Sequence, residues 1–131
     1  MIKFFNVWRS SFKEMATVRY FQITILGGLF VLICTTLLPV WRLFPTGLQD
    51  KPAIPLHYNI YSGIDLFGPW WNIFMIPVIG LIIFVFNLVC AIAIWRQEKV
   101  LSYFYLGVSA GSQLILFVAM VFVVLLNLSY G

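Results

Sequence analysis

The side chains able to accept, donate or carry a proton gather in one stretch, IPLHYNIYSGIDLFGPWW, from Ile54 to Trp71. It holds the chain's single histidine, His57, with Asn59, Ser62 and Asp65 close behind. Hydrolytic or transfer chemistry needs a nucleophile, a base and a group that orients the base. His57, Asp65, Asp50, Ser62 and several tyrosines are the only candidates in this region. A zinc centre needs three or four His, Cys or carboxylate ligands. Here there are one His, two Asp and no Cys, so neither a metal nor a cofactor is expected and the chain reads as a non-enzyme. In the simplest alternative, His57 and Asn59 fasten a loop to backbone groups, and Asp65 pairs with Arg42 or caps the following helix.

The pattern around these residues says what holds them. Ile54, Leu56, Tyr58 and Ile60 alternate with Pro55, His57, Asn59 and Tyr61, the period of an extended strand. Ser62–Gly63 supplies a turn. Gly68–Pro69 reads as the cap and first position of a helix. Pro45, Pro52 and Pro55 forbid a long helix earlier. An extended strap with His57 and Asn59 on one edge is the expectation.

Everything on either side is oil. The 131 residues are 63% hydrophobic and only 9% charged, with a mean hydropathy of +1.02. Soluble domains carry roughly 25% charged residues. A fold of this size could not hide so much apolar surface from water, so lipid is the expected solvent. The net charge of +4 does not point to nucleic acid, because the cations flank apolar runs instead of forming a stripe.

Three runs are long enough to span a bilayer, which takes ~20 apolar residues. The expected layout is an all-α membrane protein in one domain: an amphipathic interfacial helix (1–19), a first span (20–39), an extracytoplasmic loop (40–68), a second span (69–95), a cytoplasmic loop (96–101) and a third span (102–128). Lys3, Arg9, Lys13, Arg19, Arg96 and Lys99 fall on one side of this layout, and Arg42 and Lys51 on the other. Lys and Arg favour the cytoplasmic side. The amino end is therefore expected inside and the carboxyl end outside, in the cytoplasmic (inner) membrane. Tyr20, Trp95, Tyr103 and Tyr105 would mark the inner interface, and Trp41, Trp70, Trp71 and Tyr130 the outer one. A cleaved signal peptide is the rival reading of the first span. The leader is long for one, and no small-residue cleavage site follows.

In the leading segment Phe4, Val7, Trp8, Ser11, Phe12, Met15 and Val18 share one side of a helical wheel, with Arg9 and Lys13 opposite. Such a basic amphipathic helix suits a bilayer interface. Ser11–Glu14 has the form of a capping box, which in the middle of the pattern reads as coincidence or as a break in the helix. Inside the spans, Asn87 and Gln113 fall within roughly 3 Å of the same depth at 1.5 Å per residue. They could bond each other, or use Ser109 and Ser112. Gly80, Asn87 and Ala91 share a face, and Gly107 and Gly111 form a GxxxG, patterns that serve close helix packing. Pro77 should kink the second span or sit in its outer turn. Cys34 and Cys90 differ in depth by roughly 13 Å on this layout, too far for a disulfide. Asn127–Ser129 has the form of a glycosylation acceptor, placed too near the membrane to serve.

Pro55, His57, Tyr58, Asn59, Gly63 and Asp65, between two spans, carry a resemblance to the amino-terminal membrane domain of SdpI-type immunity proteins. That domain has a Pro-x-His-aromatic-Asn motif followed by Gly and Asp. The similarity covers about residues 26 to 94. Gly63 stands one residue further from the asparagine than in the family pattern. The layout also resembles small bacterial three-span membrane proteins with a PLHYN-Y-GIDL-G loop. These resemblances imply a binding, sensing or immunity-like membrane component, with those six residues as its ligand-binding or loop-locking set. The alternatives are a structural subunit of a larger envelope complex and a metal-dependent or hydrolytic membrane enzyme. The expected partners are the lipid bilayer, another membrane protein or further copies of the chain.

Overall fold

The computed structural model describes residues 2–130, with side chains from residue 6 onward. Lys3 and Phe4 of the amphipathic pattern therefore lie outside the described side chains, and Gly131 lies outside altogether. The elements run α1 (Ile2–Ala16), α2 (Arg19–Leu43), β1 (Ile54–Asn59), β2 (Gly63–Gly68), α3 (Met75–Ile94) and α4 (Lys99–Tyr130). Short 3-10 turns cover Phe44–Thr46, Leu48–Asp50 and Trp70–Phe74. Three segments, Arg19–Thr46, Trp70–Ile94 and Lys99–Tyr130, are long and apolar enough to cross a membrane.

α4 is the spine of the bundle. It packs on both α2 and α3, which touch each other far less. Its buried residues are Ser102, Leu106, Ser109, Gln113, Met120, Val124 and Asn127. Those positions step by threes and fours, with one step of seven from Gln113 to Met120, the seam of helices that pack at shallow angles. Four of the seven are polar, so the seam is marked by small and amide side chains and not by extra oil. At ~1.5 Å per residue its 32 residues reach about 48 Å, well beyond a ~30 Å hydrocarbon layer. The surplus lets α4 reach the Ala91 carbonyl with Ser102 at one end and β1 with Asn127 and Tyr130 at the other.

Two apolar clusters sit at opposite ends. Met15, Phe21, Ala91, Ile92, Trp95 and Leu106 form one, where α1 folds onto the far end of α3. Leu43, Leu48, Ile54, Ile73, Met120 and Val124 form the other, beneath the two strands.

Several boundaries differ from the sequence expectation. The first span does not stop at Pro39; α2 continues to Leu43 with Pro39 buried inside it. A membrane helix tolerates this because neighbouring groups can satisfy the freed carbonyl. α3 begins at Met75, so Pro77 falls in its first turn, where a missing N–H costs nothing. Pro69 is the cap of the Trp70–Phe74 turn and not its first residue. Ser11 and Glu14 lie inside an unbroken α1, so their match to a capping box is a coincidence and not a break. Instead, α1 ends at Ala16, whose carbonyl accepts from Gln22 Nε2 at 2.8 Å.

Candidate functional site

The strap is a hairpin. Ile54–Asn59 pairs antiparallel with Gly63–Gly68, a second strand that the sequence reading did not assign. The turn needs Gly63, whose φ of +75° lies in the left-handed region that side chains disfavour. Asn59 Oδ1 accepts from the Tyr61 backbone N–H at 2.9 Å and closes the turn from within.

Two irregularities make the site. The pairing runs Pro55↔Phe67, His57↔Leu66 and Tyr58↔Ile64. Leu56 on one strand and Asp65 on the other are thus left out of the ladder, on either side of the His57↔Leu66 pair. Pro55, lacking an N–H, cannot continue regular pairing. Bulges of this kind re-aim side chains. Here they turn Leu56 inward, where it crowds the Gly68 backbone, and bring His57 and Asp65 together.

His57 Nδ1 lies 2.7 Å from Asp65 Oδ1. A carboxylate only accepts, so Nδ1 donates. The ring is thereby oriented, and its Nε2 is left free of protein partners among the described residues. The His57 side chain is 62% exposed and that of Asp65 36%. Arg42 is not the partner of Asp65; its guanidinium lies over the Trp41 ring, 5.4 Å from the centroid. The pair has the geometry of a base and its orienter, two of the three members of a nucleophilic triad. No hydroxyl or thiol of the described residues hydrogen-bonds His57, and among those residues no three His, Cys, Asp or Glu side chains converge.

The hairpin is fastened to α4. Asn127 Nδ2 donates to the Pro55 carbonyl at 2.7 Å and to the Val123 carbonyl at 2.9 Å. Tyr58 stacks on Tyr130, with centroids 6.5 Å apart and planes 23° from parallel. Below, Phe44, Trp70 and Phe74 make edge-to-face contacts at 5.8 to 6.5 Å. Asn127 carries the attachment, yet only its place in a glycosylation pattern singled it out in the sequence. It is 4% exposed, so its amide is unavailable for modification in the folded chain.

Between the hairpin and α4 runs an open groove of about 600 Å³. Its walls are mostly apolar, with Ile76, Ala119, Phe122 and Leu126 among them, while His57, Ser129 and the two stacked tyrosines stand at one end. The hairpin tip beyond it is bare: Tyr61 is 95% and Ile60 81% exposed.

The remaining sequence-selected residues lie in the bundle, away from this site. Asn87 and Gln113 do not bond each other. Asn87 Nδ2 donates to the Ile83 carbonyl one turn back, and Gln113 Nε2 crosses to the Gly80 carbonyl, each at 2.8 Å. Gly80 permits that crossing, since a Cβ there would stand 3.0 Å from Gln113 Oε1 and 3.2 Å from Leu116. Gly107 makes room for the Tyr20 hydroxyl, and Gly111 faces open space, so the GxxxG is not a helix crossing within this chain. Ser109 Oγ is buried without a partner.

No protein-family model matches the chain, and no curated protein or solved structure does.

Proposed function

We propose that the chain is a multi-pass component of the cytoplasmic (inner) membrane that recognises a ligand or partner at its outer face, with no catalytic step of its own. The oriented His57–Asp65 pair carries this reading. It is a hydrogen-bonding group held in fixed geometry on an otherwise apolar lid, with one ring nitrogen and a bare aromatic tip left for something else. Side chains that only locked the hairpin would have no need of that free nitrogen, since Asn59, Gly63 and Asn127 already hold the turn and the attachment.

The distribution of cations supports the orientation. Arg9, Lys13 and Arg19 gather with Arg96 and Lys99 at the α1 end, against Arg42 and Lys51 at the hairpin end. Cytoplasmic ends are the Lys- and Arg-rich ones. In this frame α1 lies along the inner interface with Val7 and Phe12 toward lipid, both of which are exposed. The resemblance to the SdpI-type immunity domain agrees with an immunity-like role.

A photo-crosslinking residue in place of Tyr61, in living cells, tests the proposal. A discrete adduct is expected, lost in His57→Ala while the melting temperature of the purified protein stays put. No adduct in any growth condition, or a His57→Ala variant that fails to fold, would return the pair to a structural role. The bare Ile60–Tyr61 tip favours a second reading, a subunit of a larger envelope assembly. In that case the adduct would be a stoichiometric co-purifying chain, retained in His57→Ala.

A further inference from the structure

The groove between hairpin and α4 has a shape and a polarity that specify an occupant. From Ala119 to Tyr130 its α4 wall runs about 16 Å at 1.5 Å per residue. That is close to half of a ~30 Å hydrocarbon core, the depth of one leaflet. Ala119 is the small residue at the deep end, and Phe122 and Leu126 continue the wall toward the hairpin. The groove is open, and Phe122 and Leu125 in its wall are 67% and 51% exposed. At the hairpin end the lining changes character: His57, Ser129 and the phenols of Tyr58 and Tyr130 stand together. An occupant that matches this must be apolar for one leaflet's depth and hydrogen-bonding at one end.

The charge at the mouth narrows the choice further. Among the described residues no Lys or Arg lines the groove, so an anionic headgroup would find no cation among them there. With Nδ1–H given to Asp65, a neutral His57 ring presents a lone pair at Nε2. The Asp65 carboxylate directly behind it adds negative potential. A lone pair backed by a carboxylate suits an ammonium donor. The Ser129 and tyrosine hydroxyls can donate to a phosphate oxygen.

We infer that the groove holds one acyl chain of an amine-headed phospholipid from the adjacent leaflet, its ammonium on His57 Nε2 and its phosphate by Ser129. This rests on the recognition reading above and names the chemistry that the site would take. It also gives the His57–Asp65 pair a reason to be rigid: a preset acceptor binds without the cost of ordering itself.

The test uses the full chain in nanodiscs of equal parts phosphatidylethanolamine and phosphatidylglycerol. A trace of either lipid carries a diazirine on its acyl chain, and labelled peptides are mapped after photolysis. With the phosphatidylethanolamine probe, labelling of the 119–126 segment should exceed that of the lipid-facing side of α2 by about fivefold, equivalent to a preference of roughly 1 kcal/mol. Ala119→Trp, which fills the groove from its α4 wall, should abolish the excess, and Ile82→Trp, exposed on a face of α3 turned about 120° from the groove-lining Ile76, should not. His57→Ala should bring the phosphatidylethanolamine signal down to that of the phosphatidylglycerol probe. Uniform labelling, equal excess with both probes, or an excess that survives Ala119→Trp would overturn the inference. So would quantitative disulfide dimers of Ala119→Cys, which would show a second copy in the groove. A Tyr61 adduct that persists when lipid labelling is uniform leaves the recognition reading standing and removes only the lipid.

Discussion

The two ends of the bundle solve the same problem with different materials. Each closes on six buried apolar residues. At the α1 end the polar groups are used up on one another: Glu14 accepts from Arg96 at 2.9 Å and from the Trp95 indole at 3.3 Å, and Ser102 donates to the Ala91 carbonyl at 2.6 Å. At the hairpin end Asn127 and the Tyr58–Tyr130 stack do the fastening, and His57 keeps a nitrogen to spare. The α1 end is therefore a closure, and the hairpin end is a closure that leaves His57 Nε2 without a partner among the described residues. Function is sought where attachment and presentation fall to different residues.

The contrast can be broken by substitution. Met15→Ala removes a fully buried side chain from the α1 cluster. It should cost about 2 kcal/mol or more, release α1 to limited proteolysis and leave hairpin amide exchange unchanged. If exchange in β1 rose as well, the ends would not be independent. Asn127→Leu is the counterpart. Loss of the bond to the Pro55 carbonyl should cost about 1 kcal/mol, within the range of membrane side-chain hydrogen bonds. It should speed exchange in β1 without exposing α1. A variant that left β1 protected would transfer the fastening to the tyrosine stack.

Gly63→Ala should cost about 1 kcal/mol through its left-handed backbone, seen as weakened hairpin protection with α4 unaffected. The smallest effect belongs to the ion pair. Glu14→Gln leaves half-exposed partners, at 53% and 44%, and should cost about 0.5 kcal/mol at most. The sharper sign is salt: stability of the α1 end should fall modestly with ionic strength in the native chain and lose that dependence in Glu14→Gln. Salt dependence of equal size in both would locate it elsewhere.

What the sequence revealed follows from its solvent. Span number and approximate extent were readable because hydropathy alone decides them. Which face of each span is buried was not readable from hydropathy, since lipid and protein interior are equally apolar. Small and polar residues report it instead: Gly80, Asn87 and Gln113 do so, and so do Gly28 beneath Phe84 and Asn127, whose roles emerge only from the packed structure. The strand through His57 was legible from alternation. Its partner was not, because GIDLFG is short and bounded by glycines. The meeting of His57 with Asp65 depends on two pairing irregularities that no alternation pattern encodes. The docking of α1 was hidden for a related reason. An amphipathic face looks the same whether it meets headgroups or a neighbouring helix; Met15 and Ser11 are buried against protein, Phe12 meets Phe21 of α2 edge-on, and Val7 stays about half exposed.

The closure at Glu14 also imposes an order in time. Its partner Arg96 lies 82 positions later in the chain. Ribosomes add about 5–20 residues per second, so the leading helix exists for roughly 4–16 seconds before its counterpart is made. Throughout that interval its greasy side can meet only the start of α2, through Phe21, and lacks Ala91, Ile92, Trp95 and Leu106 of its cluster. Nascent chains arrested before Arg96 should accordingly leave the leading helix open to protease, and release of the arrest should shield it.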